Sequence, residues 1–473
     1  MSKLAVVILA AGEGKRMKSE RPKVLHEILG RPLVDYPVDL ALSLGAERVV
    51  VVVGVQAEQV KAHLLRRRNP RIRFALQKKQ LGTGHATLAA APALKGFSGE
   101  VLILYGDVPL LTPATIKRLR AAHHKKRAKL SLITARLAEP RGYGRILRDS
   151  SGEVLGIVEE ADCTPGQRGI TEANPGIYLC EAGFLFRMLP QLKKDNRQKE
   201  YYLTDLVGLA VAEGVLIATL EAHDPRETFG INSRSQLGQA EAVLRARVNA
   251  ALMESGVTLE DPERTWIAPG VKIGPDTVIE SGARLLGKSR IGRACVIEAG
   301  SRLDDSDLGN RVEVRAGSVL ESSTVGDDTT IGPMARLRPG SMVGKRVRIG
   351  NFVELKNARV GDDTKAAHLT YLGDARVGKN VNIGCGTITC NYDGVKKSVT
   401  VIEDDVFVGS DTQFIAPVKV GKGAYIGSGS TITRNVPPGA LAITRAPEKH
   451  KPGWAKKRAE LKKKGGSSGK KKN

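Results

Sequence analysis

Aromatic residues are scarce in this 473-residue chain, at 4% of the composition. Proteins that bind single-stranded nucleic acid stack bases on aromatic side chains. A nucleic-acid-binding scaffold is therefore the weaker explanation of the formal net charge of +24. Residues 445–473 hold 12 Lys and Arg against two Glu, so a tail carries +10 and the body +14. Because a basic body also attracts anionic small molecules, we expect small-molecule substrates and no nucleic acid.

Metal-ligand spacing and long apolar runs are missing as well. The five cysteines are odd in number and show no such spacing: Cys163, Cys180, Cys295, Cys385 and Cys390. This usage is typical of free thiols in a reducing compartment. No apolar stretch reaches the roughly 20 residues that span a bilayer. We expect a cytoplasmic protein without stable membrane insertion.

A six-residue repeat runs from Ile267 to Ile432. An apolar residue recurs at every sixth position, without a slip from Ile267 to Leu303 and again from Ile402 to Ile432. A helix repeats every 3.6 residues and a strand every two, whereas a six-residue period indicates a parallel β-helix. Three faces per coil predict roughly nine coils. Glycine often follows the apolar residue, and we attribute it to a corner that requires positive φ.

Before the repeat, apolar strands alternate with helical segments. The predicted strands are residues 4–9, 49–53, 73–76 and 101–104, and the predicted helices are residues 33–44 and 56–65. This alternation predicts βαβ units in a doubly wound α/β domain, Rossmann-like in its layers. Ser233 and Gln236 form a capping-box pattern that predicts a further helix, which joins the two halves.

Glycine-rich and polar segments follow three of these strands. The first strand runs into LAAGEGKR (9–16), the third into Gln77 and the turn GTGH (82–85), and the fourth into YGD (105–107). Loop amides bind phosphate, and a strand-end carboxylate with substrate phosphates holds Mg²⁺. The first loop lacks the third glycine of a Rossmann fingerprint and the Lys-Ser/Thr ending of a Walker loop. Since ligands gather at the carboxyl ends of such strands, these segments predict one pocket.

Together these motifs resemble a known family. The first half resembles the sugar-nucleotide pyrophosphorylases. With the hexads, the chain up to about residue 454 resembles the bacterial bifunctional N-acetylglucosamine-1-phosphate uridyltransferases and glucosamine-1-phosphate N-acetyltransferases. The resemblance implies synthesis of UDP-N-acetylglucosamine, a peptidoglycan and lipopolysaccharide precursor. It implies a pyrophosphorylase domain (1–232), a linker helix (233–261), a left-handed β-helix acetyltransferase domain (262–444) and a basic tail (445–473). Its composition predicts that the tail is disordered beyond Trp454.

The resemblance also implies a role for each motif of the first half. UTP would be bound by Leu9, Ala10, Ala11, Gly12 and Lys23, with Arg16 and Lys23 as the catalytic cations. Uracil would be read by Gln77, Gly82 and Thr83, beside Tyr105 and Gly106. Mg²⁺ would be bound by Asp107 and Asn232, and the sugar by Gly144, Glu159, Asn174, Tyr202 and Thr204. Lys15 and Pro175 depart from the family's usual residues.

In the second half, polar residues accumulate beyond what the corners of a β-helix require, and the hexads lose clarity from residue 391 to about 401. The resemblance implies that His368 deprotonates the amine of glucosamine 1-phosphate, as a base with near-neutral pKa can. That substrate would be bound by Arg338, Lys356, Tyr371 and Asn382. Acetyl-CoA would be bound by Cys385, Asn391, Tyr392, Ser410, Ser428 and Arg445. The family carries alanine at positions 385 and 428 and glycine at 367, and it forms homotrimers with acetyltransferase sites between subunits.

Two alternatives stay open at this level. In the first, the protein is a nucleotidyltransferase alone and the β-helix is an oligomerisation rod, which release of free CoA thiol would exclude. In the second, the basic body is a nucleic-acid-binding scaffold, for which binding would depend steeply on salt.

Overall fold

The computed structural model of the chain describes residues 2–54 and 57–466. The chain divides into two compact units, Met1–Ser289 and Arg290–Asn473. Among the described residues no helix is both long and apolar enough to cross a bilayer.

The first unit is built on a mixed β-sheet. Its strands are β1 (Leu4–Ala10), β2 (Glu27–Ile28), β3 (Arg31–Pro32), β4 (Arg48–Val53), β5 (Ile72–Leu76), β6 (Glu100–Tyr105), β7 (Leu130–Arg136), β8 (Gly144–Arg148), β9 (Val154–Val158), β10 (Glu172–Asn174), β11 (Tyr178–Glu181) and β12 (Ile217–Glu221). The sheet order is β5-β4-β1-β6-β11-β7-β10-β8-β9, with β12 beside β7 and with β2 and β3 in a separate hairpin. The first four strands of this order are parallel, and β11 runs antiparallel between β6 and β7.

Helices cover both faces of this sheet. The first unit contains α1 (Asp35–Ser43), α2 (Ala57–Leu65), α3 (Thr83–Ala89), α4 (Pro113–Lys126), α5 (Pro165–Arg168), α6 (Ala182–Met188), α7 (Asp205–Ala212) and α8 (Arg234–Glu254). Alternate residues of β1 enter opposite cores, with Val7 in one and Val6 in the other, and both are fully buried. The predicted strands and helices are confirmed to within two residues at their ends, except that residue 56 lies outside the described residues.

The start of α8 differs slightly from the predicted capping box. The Ser233 hydroxyl accepts a hydrogen bond from the Gln236 backbone N–H at 3.2 Å, as predicted. The Gln236 side chain, however, accepts from the N–H of Asn232 at 2.8 Å, one residue before the cap. At the other end, the fully buried Asn249 donates to the backbone carbonyls of Pro262 and Thr265. The linker helix is therefore anchored at both ends within the first unit.

The hexads form short parallel strands, as predicted. The first unit contains β13 (Thr258–Leu259), β14 (Trp266–Ile267), β15 (Lys272–Ile273), β16 (Val278–Ile279) and β17 (Arg284–Leu286). The second unit contains β18 (Arg290–Ile291), β19 (Val296–Ile297), β20 (Arg302–Asp304), β21 (Asp307–Leu308), β22 (Glu313–Val314), β23 (Val319–Glu321), β24 (Thr324–Val325), β25 (Thr330–Ile331), β26 (Arg336–Leu337), β27 (Met342–Val343), β28 (Arg348–Lys356), β29 (Arg359–Val360), β30 (Lys365–Gly373), β31 (Ala375–Val377), β32 (Asn382–Ile383), β33 (Ile388–Cys390), β34 (Thr400–Ile402), β35 (Phe407–Val408), β36 (Gln413–Ile415), β37 (Val418–Val420), β38 (Tyr425–Ile426), β39 (Thr431–Ile432) and β40 (Leu441–Ala442).

Strands of successive coils pair in parallel, which makes the second unit a parallel β-helix. One face of its described part holds the eight strands β18, β21, β24, β27, β29, β31, β34 and β37. The first unit contributes one more strand to this face, β15, so the described part of the face has nine strands. This agrees with the roughly nine coils predicted. The apolar hexad residues are buried along the axis; Ile331, Leu337, Ile349 and Leu355 are fully buried. The hand of the coil stays a prediction.

One coil is longer than its neighbours. Ile349 pairs with Ala366, and Val408 with Ile426, so an ordinary coil takes 17 or 18 residues. Ile383 pairs with Val408, which makes that coil 25 residues long. The extra residues fall where the hexads lose clarity in the sequence. The prediction of an inserted loop near residues 391–401 is therefore confirmed.

The reason predicted for the repeat glycines is wrong at most positions. Of the eight glycines that follow a hexad apolar residue, Gly332 has positive φ, whereas Gly326 and Gly384 do not. A Cβ on Gly326 would lie 2.7 Å from the carbonyl carbon of Gly344 in the next coil. Left-handed backbone occurs three residues after the apolar residue instead, as at Asp328 and Asp363. The glycines allow coils to stack closely, and residues of several types, aspartate among them, turn the corner.

The predicted disorder of the tail beyond Trp454 is wrong for part of that segment. Residues Trp454–Gly466 form helix α9, because Ala, Lys, Arg, Glu and Leu are strong helix formers. Residues 467–473, to which the same prediction applied, lie outside the described residues.

Truncating a hexad residue should destabilise the β-helix. Ile349 is fully buried, so Ile349→Ala should lower the free energy of unfolding by about 2–5 kcal/mol in urea denaturation. The neighbouring Arg348 is exposed, and Arg348→Ala should change it by no more than about 0.5 kcal/mol. Equal losses from the two variants would contradict the position of the axial core.

Candidate functional site

A cavity of about 490 Å³ opens at the carboxyl edge of the first unit's sheet. The ends of β1 and β6 meet there, with Leu9 paired to Tyr105. The structure brings most of the predicted residues together around it: Leu9, Ala10, Ala11, Gly12, Arg16, Lys23, Gln77, Gly82, Thr83, Tyr105, Asp107, Gly144, Glu159, Asn174, Thr204 and Asn232. Gly106 and Tyr202 do not line it. Gly106 donates its N–H to the carbonyl of Leu9, and the Tyr202 hydroxyl donates to Gln198.

A buried cation lies between two oxygen ligands in this cavity. The Lys23 ammonium forms an ion pair with Asp107 and donates to the amide oxygen of Asn232 at 3.0 Å. The side chains of Lys23 and Asp107 are each 12% exposed. The three residues come from a 3₁₀ turn, a strand end and the segment before α8, and they converge on one point. Such a point can hold either an ammonium or a small metal ion.

The loop after β1 packs directly against Lys23. Gly14 has φ +66°, and a Cβ on it would lie 2.7 Å from the Cβ of Lys23. Glycine is therefore required there both for conformation and for space. Lys15 is turned toward Glu13, at 2.7 Å, and does not line the cavity. Its departure from the family pattern therefore leaves the cavity wall unchanged.

The opposite wall holds a carboxylate of raised pKa. Burial raises the pKa of Glu159, although the hydrogen bond that it accepts from Thr204 at 3.0 Å acts in the other direction. Asn174 is fixed by two contacts, since it donates to the Tyr178 hydroxyl at 2.7 Å and accepts from the N–H of Gly176 at 3.1 Å. These hydrogen bonds hold the polar groups of this wall in fixed orientations.

The third wall is formed around Gln77. Its amide nitrogen donates to the carbonyl of Gly82 at 3.1 Å, and the residue is 5% exposed. The hydroxyl of Thr83 accepts from the N–H of Leu203 at 3.0 Å, so it also fastens this wall to the start of α7. Gly82 has φ +103°, and a Cβ there would lie 2.6 Å from the carbonyl oxygen of Tyr201.

In the second unit, His368 has a defined tautomer. Its Nδ1 lies 2.9 Å from the amide oxygen of Asn351, which can only accept. Nδ1 therefore carries a proton, so in the neutral ring Nε2 has the free lone pair. The next residues along the two strands, Phe352 and Leu369, are 59% and 60% exposed and have positive φ. Bulky apolar residues rarely adopt that conformation, so this corner combines strain with exposed apolar surface.

Asp374, which directly follows β30, joins two of the predicted residues. It pairs with Lys356 at 2.9 Å and accepts from Asn391 at 2.5 Å and from Asn357 at 2.8 Å. Burial opposes ionisation of Asp374, but these hydrogen bonds prevail and lower its pKa. Arg338 pairs instead with Glu354 at 3.0 Å, and Glu354 is the register partner of Tyr371. Two of the predicted residues, Lys356 and Asn391, are therefore linked through Asp374, and a third, Arg338, is paired with Glu354.

The residues predicted to bind acetyl-CoA follow one edge of the coil. Ile383, Val408 and Ile426 are register partners, which places Cys385, Ser410 and Ser428 at equivalent positions of successive coils. Arg445 lies in the segment that follows β40, near Gly429. Asn382 is the register partner of Lys365 and Phe407. Lys365 precedes His368 by three residues on the same strand. Tyr392 lies in the inserted loop, 59% exposed, and donates to the carbonyl of Gly394.

Family models match both halves of the chain. The MobA-like NTP transferase domain matches residues 6–199, the GMPPB C-terminal domain residues 265–362, and the bacterial transferase hexapeptide (six repeats) residues 400–434.

Full-length relatives named bifunctional protein GlmU are similar throughout. The protein from Pelobacter propionicus is 52% identical over 464 residues, covering 98% of this chain and 100% of its own. The protein from Syntrophotalea carbinolica is 55% identical over 451 residues, covering 95% and 96%.

The chain belongs to this family. A solved structure of UDP-glucose pyrophosphorylase with UDP-glucose is also similar, at 20% identity and a TM-score of 0.43, and covers 52% of this chain. In this bifunctional family member the described residues contain no cluster of three or more His, Cys, Asp and Glu side chains that could hold a metal by themselves.

Several residues at these sites are missed by reasoning from motifs. Gln80 lines the cavity and donates to the carbonyl of Ala11 at 2.6 Å. Asn351 and Asp374 orient the predicted residues of the second unit. A signal for Asn351 was available, because it precedes His368 by 17 residues, the length of one coil. Nothing in the spacing of Asp374 sets it apart from the many corner aspartates.

Replacing Gly14 should displace the loop from Lys23. Because the left-handed conformation costs about 1–2 kcal/mol for a side chain other than glycine, Gly14→Ala should weaken UTP binding about fivefold to thirtyfold in calorimetric titration. A Cβ on Gly208 in α7 would meet no atom within 4 Å, so Gly208→Ala is the matched control. Unchanged binding in the Gly14 variant would show that the loop does not contact the nucleotide.

Proposed function

We propose that the chain makes UDP-N-acetylglucosamine in two steps. Acetyl-CoA first acetylates glucosamine 1-phosphate, and UTP then reacts with the resulting N-acetylglucosamine 1-phosphate. The observation that carries the proposal is that each unit has its own reactive cluster. Lys23, Asp107 and Asn232 converge in the first unit, and His368 has a free Nε2 in the second. Membership of a family named for two functions supports the same assignment.

In the uridylyl transfer, a phosphate oxygen of N-acetylglucosamine 1-phosphate attacks the α-phosphorus of UTP. The bond to the β-phosphate breaks, and pyrophosphate leaves. Such transfers need positioning and charge neutralisation more than covalent help. Lys23 and Arg16 supply positive charge, and the amides of the loop from Leu9 to Gly12 cradle the phosphates. Glu159, Asn174 and Thr204 orient the sugar from the opposite wall.

Asp107 and Asn232 would hold Mg²⁺ in this step. The fit is supported by the two oxygens, which converge closely enough to share one ammonium. Mg²⁺ is bound by one or two protein oxygens with substrate phosphates and water. When bound, it would neutralise charge on the phosphates. Lys23 would then turn from Asp107 toward the phosphate oxygens.

In the acetyl transfer, Nε2 of His368 takes a proton from the amine of glucosamine 1-phosphate. The amine nitrogen attacks the thioester carbonyl, the carbon–sulfur bond breaks, and CoA leaves as the thiol after it takes up a proton. Asn351 holds the ring so that Nε2 is the basic nitrogen. Arg338 and Lys356 provide cations for the sugar phosphate, with Tyr371 and Asn382 beside them. The column of Cys385, Ser410 and Ser428, with Arg445, lies along the path proposed for CoA.

We further propose a homotrimer with acetyltransferase sites between subunits. Phe352 and Leu369 expose apolar surface directly beside His368, and a second copy of the chain would cover it. Isolated apolar residues on a surface are ordinary, but these two flank a base that is exposed in the single chain. The five free cysteines fit a cytoplasmic location. The proposed domain limits are those of the sequence, 1–232, 233–261, 262–444 and 445–473.

Loss of the Asp107 carboxylate should separate the two reactions. Asp107→Ala removes the partner of Lys23 and the proposed metal ligand, so pyrophosphate release from UTP should fall at least about a hundredfold. Acetylation, followed as CoA thiol release, should be unchanged. Asp195 is exposed, and Asp195→Ala controls for loss of a surface charge. Loss of both activities in a folded Asp107 variant would contradict separate centres.

The converse variant tests the second unit. His368→Ala should lower CoA thiol release about 10²–10⁴-fold, as expected for removal of a general base, and should leave pyrophosphate release unchanged. His450→Ala, in the exposed tail, serves as the control. Absence of thiol release from the unmodified protein, with uridylyl transfer intact, would instead favour the nucleotidyltransferase with a structural β-helix.

A further inference from the structure

The amide of Gln77 makes two hydrogen bonds at the wall of the cavity. Its nitrogen lies 3.1 Å from the carbonyl oxygen of Gly82 and 3.1 Å from Nδ1 of His85. A carboxamide nitrogen has two N–H groups, so both are used. The residue is 5% exposed and lines the cavity. No described residue donates a hydrogen bond to its oxygen, which leaves that oxygen for a ligand.

The two acceptors determine which way the amide faces. The Gly82 carbonyl can only accept, so the atom facing it must be nitrogen. Nδ1 of His85 must then accept as well, which places the ring proton on Nε2. The His85 ring is held in turn by Tyr201, which stacks on it with ring centres 6.4 Å apart and an interplanar angle of 27°. Rotation of the amide would turn its oxygen toward two acceptors, at the cost of two hydrogen bonds.

We propose that His85 is a positioning residue that sets the base specificity of this cavity through Gln77. This inference rests on the proposed function, in which the cavity binds UTP. With its nitrogen engaged by His85 and Gly82, Gln77 offers only an acceptor to the base. Uracil presents a donor, N3–H, whereas cytosine presents an acceptor at N3. The arrangement therefore favours uracil over cytosine.

The same chemistry predicts what His85 does not control. Thymine carries the same N3–H donor as uracil and differs by a methyl group and, in dTTP, by the sugar. A change at His85 should therefore alter the preference for UTP over CTP and leave the preference for UTP over dTTP unchanged. A residue that merely supports the wall would alter all three affinities together.

Two substitutions distinguish the role of the His85 hydrogen-bond acceptor from the role of its stacked ring. His85→Phe keeps a ring to stack on Tyr201 but removes the acceptor, whereas His85→Asn loses the ring but can place its amide oxygen where Nδ1 lies. We expect the ratio of CTP to UTP dissociation constants, measured by calorimetric titration with Mg²⁺ present, to fall about fivefold in the Phe variant, the value of one neutral hydrogen bond. The Asn variant should retain the ratio, and the dTTP to UTP ratio should stay constant in both.

The possible outcomes distinguish this inference from the function on which it rests. An unchanged CTP to UTP ratio in the Phe variant, or equal weakening of all three nucleotides, would overturn the role of His85. Failure of the unmodified protein to release pyrophosphate from UTP and N-acetylglucosamine 1-phosphate would overturn the proposed function instead, and the binding ratios would still decide the role of His85. CoA thiol release should be unchanged in both variants, which verifies that the second unit is intact.

Discussion

The contact of Lys23 with Asp107 and Asn232 is the interaction on which the first unit's site depends. Its members are separated by 84 and 209 residues, yet their side chains meet in a largely buried position. A buried carboxylate without a partner is unfavourable, so the ammonium stabilises Asp107 in the free protein. In the proposed reaction the same oxygens would hold Mg²⁺, and the ammonium would pair with the phosphates. One arrangement therefore serves both the free protein and the proposed reaction.

The second unit depends on a steric constraint rather than on charge. Coils stack so closely that a Cβ at Gly384 would lie 2.5 Å from the backbone nitrogen of Ser410. This stacking fixes the register, and the register brings residues 17 or 18 apart onto one row. His368 meets Asn351 for that reason, and Ser428 follows Ser410 in one column. Cys385 precedes Ser410 in the same column by the 25 residues of the longer coil. The number of residues in each coil thus determines which polar side chains lie next to one another.

Much of the fold can be predicted from the sequence because its signals are periodic. The apolar run of β1 and the hexads each report a burial pattern that the structure confirms. Side-chain partners are different, because they depend on distances between segments far apart in the chain. Asp374, which orders Lys356 and Asn391, looks like any corner aspartate. The repeat glycines illustrate the same limit. Glycine is needed there because the backbone of the next coil lies close, and no local sequence pattern reveals that contact.

The central claim is that one chain holds two independent centres joined only by a diffusible intermediate. Mixing the Asp107→Ala and His368→Ala proteins tests it directly. Supplied with glucosamine 1-phosphate, acetyl-CoA and UTP, each protein alone should make almost no UDP-N-acetylglucosamine, whereas the mixture should make it with a lag while N-acetylglucosamine 1-phosphate accumulates. A mixture as inactive as its components, with both proteins folded, would contradict the account.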